Sequence, residues 1–154
     1  MISPPQVVQN AEQPVAVVHL LVARNQIQQV MGPAIGEVLA VLREQGIAPV
    51  GPMFSHHARR PTDTFEFAVG VPVAQVVAPA GRVAAGVLPA ARVVRATYAG
   101  GYEGLGAAWG ELLAWVEANG LRSRDDLWEC YLRGPESGSD PALWRTELNR
   151  PLVV

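Results

Sequence analysis

The chain has 154 residues, of which 49% are hydrophobic and 17% charged, a balance typical of one globular domain and not of a disordered chain. Its formal net charge is −2, and its twelve basic residues, all arginine, are scattered apart from the pair Arg59–Arg60. This distribution lacks the basic patch of a protein that binds nucleic acid or an anionic membrane surface. We therefore expect no direct nucleic-acid binding and no membrane partner.

The sequence also bears on the compartment. Cys130 is the single cysteine, which excludes an internal disulfide and suits a reducing environment. The amino-terminal stretch MISPPQVVQNAEQP lacks the basic and apolar regions of a signal peptide. The longest apolar runs, such as VAVVHLLVA, are too short to span a bilayer as a helix. We expect a cytoplasmic protein.

The first part of the chain, about residues 12–72, is predicted to form a strand, a helix and two further strands. The valine-rich run VAVVHLLVA has the composition of a strand. A helix is predicted from about Gln28 to Gln45, followed by a left-handed cap at Gly46, because apolar residues recur on one face: Met31, Ile35, Val38, Leu39 and Leu42. PMFSHHA and TFEFAVGV then predict two strands, the second ending at Pro72.

The second part, about residues 83–152, has the same order of elements. A joining segment contributes a further extended stretch around Val83 to Leu88, and RVVRATYA predicts the next strand. A helix from about Tyr102 to Asn119 is indicated by one apolar face: Leu105, Trp109, Leu112, Leu113 and Val116. DLWECYLR and ALWRTELN predict the last two strands, which end at Pro151.

These two parts align with each other. Residues 93–120 match residues 19–46 without a gap at a constant offset of 74, and the identical pairs are Gly32/Gly106, Ala34/Ala108, Gly36/Gly110, Glu37/Glu111, Leu39/Leu113, Ala40/Ala114 and Gly46/Gly120. The alignment predicts a single α+β domain over residues 1–154, built from duplicated βαββ units with pseudo-two-fold symmetry. We expect one antiparallel sheet with two helices on one face and a ligand groove between the halves, on the opposite face.

Three stretches give the chain a resemblance to a known family. YAGGYEGLGAAWGELLAWVEANG, WECYLRGP and DPALWRTELNRPL resemble, in their order and spacing, the GyrI-like small-molecule-binding family, from about residue 12 onward. That family includes the effector-binding domains of AraC- and MerR-type multidrug-responsive regulators and a stand-alone gyrase-inhibitory protein. The resemblance implies paired βαββ units whose central groove binds lipophilic, often cationic compounds. It also implies that the acid and the tyrosine of the family's E-x-Y strand fall on Glu129 and Tyr131.

The resemblance implies an enzymatic alternative as well, because some stand-alone relatives are hydrolases of reactive cyclopropane-bearing compounds that use the same glutamate. In contrast to the regulators, no helix-turn-helix segment is evident, and about twelve residues precede the first predicted strand. We therefore expect no direct control of transcription by this chain.

Glu129 is the main candidate for a functional residue. Alternation along a strand places Glu129 and Tyr131 on one face and Trp128 and Cys130 on the other. In an aromatic groove, an ionised carboxylate is costly until a cation arrives, and the same loss of water raises its pKa toward that of a general acid or base. The competing interpretation is an exposed carboxylate, or one paired with an arginine such as Arg133.

Four more side chains are candidates for ligand binding. Trp109 lies on the core-facing stripe of its helix and serves either as packing or as the floor of the groove. Tyr98 and Tyr102 flank the Gly100–Gly101 turn and either close over a ligand or remain ordinary turn residues. His57 occupies the place in the first repeat that Tyr131 holds in the second, which predicts a position on the opposite wall.

The repeat also predicts what the site lacks. Ser55 is the counterpart of Glu129, so the first repeat has no second carboxylate and the site is asymmetric. His56 and His57 point to opposite faces of a strand and so do not converge on a metal. Cys130 is interpreted as a small buried hydrophobic residue, since it faces away from Glu129. No cofactor and no metal are expected.

These observations leave three functional hypotheses. The first is a stand-alone binding module that takes lipophilic, possibly cationic compounds in a groove containing Glu129, for sensing, sequestration or resistance. The second is a hydrolase in which Glu129 is the catalytic residue and activates water. The third is a protein that interacts with gyrase or with a regulator.

Overall fold

The computed structural model describes residues 2–59, 63–134 and 138–153, apart from the side chains of Arg24 and Gln28. Within these residues the chain forms two α-helices and eight strands, and short 3-10 turns precede α1, α2 and β8. Their bounds are β1 Gln6–Asn10, β2 Gln13–Ala23, α1 Ile27–Gln45, β3 Phe54–His57, β4 Thr64–Pro72, β5 Ala84–Leu88, β6 Ala91–Ala99, α2 Leu105–Ala118, β7 Leu127–Arg133 and β8 Arg145–Pro151.

All eight strands belong to one antiparallel sheet in the order β1-β6-β8-β7-β3-β4-β2-β5. The predicted α+β class is therefore confirmed. The two parts of the chain meet at the central pair β3–β7, whose register runs from Phe54 opposite Cys130 to His57 opposite Leu127. Away from this pair, the strand order is β3-β4-β2 on one side and β7-β8-β6 on the other.

Most predicted elements are confirmed, and two details are corrected. The strand β1 was not predicted, because its only apolar residues, Val7 and Val8, are adjacent and give no alternating pattern. It lies at the edge of the sheet and pairs with β6 alone. The last strand begins at Arg145 and not at Ala142. A 3-10 turn at Pro141–Leu143 precedes it, and the side chain of Asp140 caps this turn by accepting from the Ala142 amide.

Each helix covers one half of the sheet with an apolar stripe. Ala34, Val38 and Leu42 of α1 pack on β2 and β4, and α2 packs on β6, β7 and β8 through Ala108, Trp109, Leu112 and Val116. Both helices lie on the same face of the sheet, since directly paired residues on neighbouring strands share a face. His57 pairs with Leu127, which packs in the α2 cluster, and also with Phe67, which packs in the α1 cluster. Gly46 and Gly120 follow the helices with φ of 69° and 67°, the left-handed conformation that the sequence predicts. Among the described residues, neither helix is long and apolar enough to cross a bilayer.

The other face of the sheet carries a third apolar cluster. The buried residues of this cluster are Val15, Val17, Phe54, Leu88, Val93 and Trp128. They come from strands near opposite edges of the sheet, so the sheet curls toward this face into a half-barrel. A cavity of about 850 Å³ opens on this face, lined in part by Leu21, His56 and Asp126.

Candidate functional site

Glu129 lies on the helical face of the sheet, between the two helical clusters. Alternation along β7 is confirmed, since Leu127 packs in the α2 cluster whereas Trp128 and Cys130 pack in the cluster on the other face. The prediction that the groove with Glu129 lies opposite the helices is therefore wrong. Glu129 shares a face with Leu127, two residues earlier on the strand, and that face is the one that α2 covers.

Two neutral donors hold the carboxylate of Glu129, which is 8% exposed. Trp109 Nε1 donates to Oε2 at 2.6 Å, and the Tyr131 hydroxyl donates to Oε1 at 2.8 Å. Trp109 is itself buried on the core-facing stripe of α2. Over residues 2–59, 63–134 and 138–153, none of the ion pairs involves Glu129, so a pairing with Arg133 is not observed.

The surroundings of Glu129 oppose its charge. Burial raises the pKa of the Glu129 carboxyl, and the hydrogen bonds from Trp109 and Tyr131 offset only part of this effect. Burial, together with the nearby charge of Glu129, raises the pKa of Tyr131 well above its usual value, so the phenol remains a neutral donor. Among the described side chains, the site thus combines a desolvated acid with two neutral hydrogen-bond donors and no ion pair.

A hydrogen-bonded chain continues from Glu129 across the centre of the sheet. The Tyr131 hydroxyl lies 2.7 Å from Ser55 Oγ, which in turn lies 3.0 Å from His57 Nε2. Ser55 and Glu129 are direct cross-strand partners, so the chain crosses from β7 to β3. The imidazole of His57 stacks on Phe67, with ring centroids 4.9 Å apart. The structure therefore brings together four of the predicted site residues: His57, Tyr131, Glu129 and, through its hydrogen bond to Glu129, Trp109.

Of the two turn tyrosines, the structure places one at this site. The ring of Tyr102 lies 5.9 Å from that of Tyr131 and 5.1 Å from that of Trp144. Tyr98 is buried in the α2 cluster, and its hydroxyl donates to the Gly101 carbonyl oxygen at 2.8 Å. The hydroxyl of Tyr98 thus fixes the turn into α2 and is bonded to the backbone of that turn, not to Glu129 or Tyr131. That any of these side chains contacts a ligand stays a prediction.

The family description "GyrI-like small molecule binding domain" matches residues 3–152. The chain belongs to the GyrI-like family. Its fold also matches solved structures, whereas no curated protein sequence matches it. The C-terminal domain of EcmrR superposes with a TM-score of 0.87 and 21% identity over 97% of both chains. The chain covers 57% of EcmrR as seen in its DNA complex, with a TM-score of 0.86 and 21% identity over 97% of this chain.

Two more distant neighbours share the GyrI-like fold. A protein described as a hydrolase from Listeria innocua has a TM-score of 0.70 and 14% identity, over 97% of this chain and 91% of its own. SAV2435 bound to tetraphenylphosphonium has a TM-score of 0.63 and 12% identity, over 98% of this chain and 94% of its own. At these identities the likeness shows the fold alone.

Sequence reasoning missed three residues of this GyrI-like site. Ser55 was treated as a lost carboxylate and not as the link between the two central strands. Trp144, whose ring lies beside that of Tyr102, was placed in a predicted strand and was not identified as a site residue. Thr146, fully buried and opposite Tyr131, carried no pattern that distinguishes it from other strand threonines.

The structure gives the remaining candidates ordinary contacts. Within the described ranges, no group of three or more histidine, cysteine, aspartate or glutamate residues is placed to hold a metal ion. His56 lies on the other face, 2.9 Å from Asp126. Burial raises the pKa of the Cys130 thiol to about 12, so this cysteine stays protonated and is not a nucleophile near neutral pH.

His57 makes a testable contribution to acid sensitivity. Burial lowers its pKa from 6.5 to about 4, and the neighbouring His56 adds to this effect. A group with a lowered folded-state pKa stabilises the fold above its unfolded pKa and loses that contribution as the pH falls toward its folded pKa. We therefore expect the free energy of unfolding of wild type to fall by about 3 kcal/mol more between pH 7 and pH 4 than that of His57→Gln. Urea unfolding at both pH values measures this difference. The exposed His19→Gln is the control, and an equal pH dependence in all three proteins would contradict this expectation.

Proposed function

We propose that this GyrI-like chain binds lipophilic cations on the helical face of its sheet, with Glu129 as the countercharge. The observation that carries the proposal is a buried carboxylate whose hydrogen-bond donors, Trp109 and Tyr131, are both neutral. Keeping such a carboxylate ionised without a positive partner costs free energy, and an incoming cation offsets that cost. The role of the chain would then be sensing, sequestration or resistance.

The aromatic residues around Glu129 supply the apolar area for such a ligand. Trp109, Tyr131 and Tyr102 present rings whose faces attract a cation and whose surfaces replace water around it. Ligand binding in the GyrI-like family and the tetraphenylphosphonium bound to SAV2435 support this choice of ligand class. The mirrored strand order about β3–β7 supports a duplicated chain whose ligand binds at the junction of its halves.

A hydrolase is the second candidate. Burial raises the pKa of Glu129, which makes it a stronger base toward water, and the Listeria innocua neighbour is described as a hydrolase. In this alternative, Glu129 removes a proton from water as the water oxygen bonds to a ring carbon of a strained, cyclopropane-bearing ligand and a C–C bond of the ring breaks. Protonated Glu129 then returns the proton to the atom of the ligand that received the electron pair of the broken bond. The product would be heavier than the substrate by one water molecule.

Calorimetric titration with tetraphenylphosphonium tests the proposal, with triphenylphosphine oxide as the neutral control. We expect the cation to bind at least tenfold more tightly than the neutral compound, and mass spectrometry to recover it unchanged. Equal affinities, or no binding by either compound, would contradict the proposal. A hydrated product from a cyclopropane-bearing electrophile, formed by wild type and not by Glu129→Gln, would establish the hydrolase instead.

A further inference from the structure

Two buried polar atoms near Glu129 have no hydrogen-bond partner in the described chain: Nδ1 of His57 and Oγ1 of Thr146. His57 is 3% exposed and Thr146 is fully buried. Buried polar atoms are almost always hydrogen-bonded, because leaving one unpaired sacrifices its interaction with water. Two such atoms around one buried acid therefore point to further polar contacts with whatever occupies the site.

The strand register places both atoms beside Glu129. The direct partners of Glu129 are Ser55 on β3 and Leu148 on β8. His57 lies two residues from Ser55, and Thr146 lies two residues from Leu148, so both side chains share the face of Glu129. Diagonal neighbours of this kind have Cα atoms roughly 7–8 Å apart. His57 and Thr146 thus stand on opposite sides of the carboxylate.

The hydrogen-bonded chain determines what His57 offers at Nδ1. An ionised Glu129 carries no proton, so the Tyr131 hydroxyl donates to it. The phenol oxygen of Tyr131 then accepts from the Ser55 hydroxyl, and Ser55 Oγ accepts from Nε2–H of His57. A neutral imidazole has one proton, which this chain places on Nε2. Nδ1 is then an acceptor with a free lone pair, and the pKa of His57 near 4 agrees with a neutral ring at pH 7.

We propose that the site selects cations that carry N–H donors, such as protonated amines and amidinium groups, over quaternary ammonium and phosphonium cations. An N–H group of the ligand donates to His57 Nδ1, and the Thr146 hydroxyl provides a second polar contact, while the positive charge lies near Glu129. A quaternary cation satisfies the charge but leaves the acceptor unpaired. This inference rests on the proposed cation-binding function and narrows its ligand class.

A matched pair of ligands tests this selectivity. One is a lipophilic aryl tertiary amine that is protonated at pH 7, and the other is its N-methyl quaternary derivative. Calorimetry should show the protonated amine binding wild type roughly ten- to hundredfold more tightly than the quaternary ion. A tertiary amine with an ethyl group in place of one methyl controls for the added bulk.

Two variants test which side chains cause the preference for the protonated amine over the quaternary ion. His57→Phe keeps a ring to stack on Phe67 but removes the acceptor, and Thr146→Val keeps the shape but removes the hydroxyl. We expect His57→Phe to bring the amine-to-quaternary affinity ratio to within about threefold of one, by weakening the amine and not the quaternary ion. Thr146→Val should reduce the ratio less. If His57→Phe does not fold, the wild-type ratio and Thr146→Val decide the question.

The outcomes separate this inference from the proposed function. Equal binding of both cations by wild type would overturn the selectivity while the cation-binding function stands. A preference that persists unchanged in both variants would also overturn it, because the donor contact would then lie elsewhere. If wild type binds neither cation, the proposed function fails and the inference fails with it.

Discussion

Glu129→Gln is expected to weaken the binding of lipophilic cations at least about hundredfold, which corresponds to about 2.7 kcal/mol. Glutamine has nearly the same shape, so the walls of the site are retained while the charge is lost. A charge attracts a cation far more strongly in a buried, aromatic site than in water, and removing one partner of such a pair typically costs 2–5 kcal/mol. Calorimetric titration of tetraphenylphosphonium into both proteins measures the effect.

A second carboxylate provides the control for this experiment. Glu66 lies on the same sheet but is exposed, and it faces the cavity on the non-helical side. Glu66→Gln removes the same net charge and should leave the affinity for the cation unchanged. Equal losses in both variants would attribute the attraction to net charge alone, and full affinity in Glu129→Gln would exclude Glu129 as the countercharge.

Gly70→Ala is expected to destabilise the fold by more than about 3 kcal/mol. Gly70 is buried in β4, and a Cβ atom there would overlap the backbone carbonyl oxygen of Ala16 and come within 2.9 Å of Val17 Cγ1. The backbone of β2 thus occupies the place of a side chain. A methyl group at Gly70 would push apart two strands of the sheet that carries the α1 cluster.

The matched control is a glycine with free space around it. Gly36 lies on α1, and apart from its chain neighbours and the backbone of its own helix no described atom lies within 4 Å of a Cβ built there. Gly36→Ala should stabilise the protein by up to about 1 kcal/mol, because alanine is a much better helix former than glycine. Urea unfolding followed by circular dichroism measures both variants. A Gly70→Ala protein as stable as wild type would show that β2 and β4 can separate without cost.

The regular elements were predictable because their apolar residues repeat with clear periods. The stripe of α2 through Trp109 and Leu112, and the alternation of Leu127, Trp128 and Glu129 on β7, each follow from local geometry. The edge strand β1 has no such pattern, since its stability comes from backbone pairing with β6. Periodicity separates the two faces of a strand but does not say which face the helices cover, and this is why Glu129 was assigned to the face opposite the helices.

The site was partly predictable for the same reason. Glu129 and Tyr131 stand out in the sequence because a carboxylate alternates with aromatic residues. Ser55 has no signal of its own, and its role depends on the register that sets it opposite Glu129. The unpaired Nδ1 of His57 depends on side-chain positions from several strands at once, which no local pattern encodes.

The placement of the edge strands has a consequence for the order in which the protein folds. β1 pairs with β6, and each residue of β6 lies more than eighty positions after its partner in β1. The free edge of β2 pairs with β5, which belongs to the segment that joins the two parts of the chain. During synthesis, residues up to about 72 would present open edges on both β2 and β3, and open edges invite pairing with other chains. The full sheet forms only after its second half has emerged from the ribosome, because β1 and β3 pair with strands of that half. Contacts between residues so far apart in sequence also form slowly. A chaperone that covers the open edges of β2 and β3 during synthesis would therefore increase the yield of native protein.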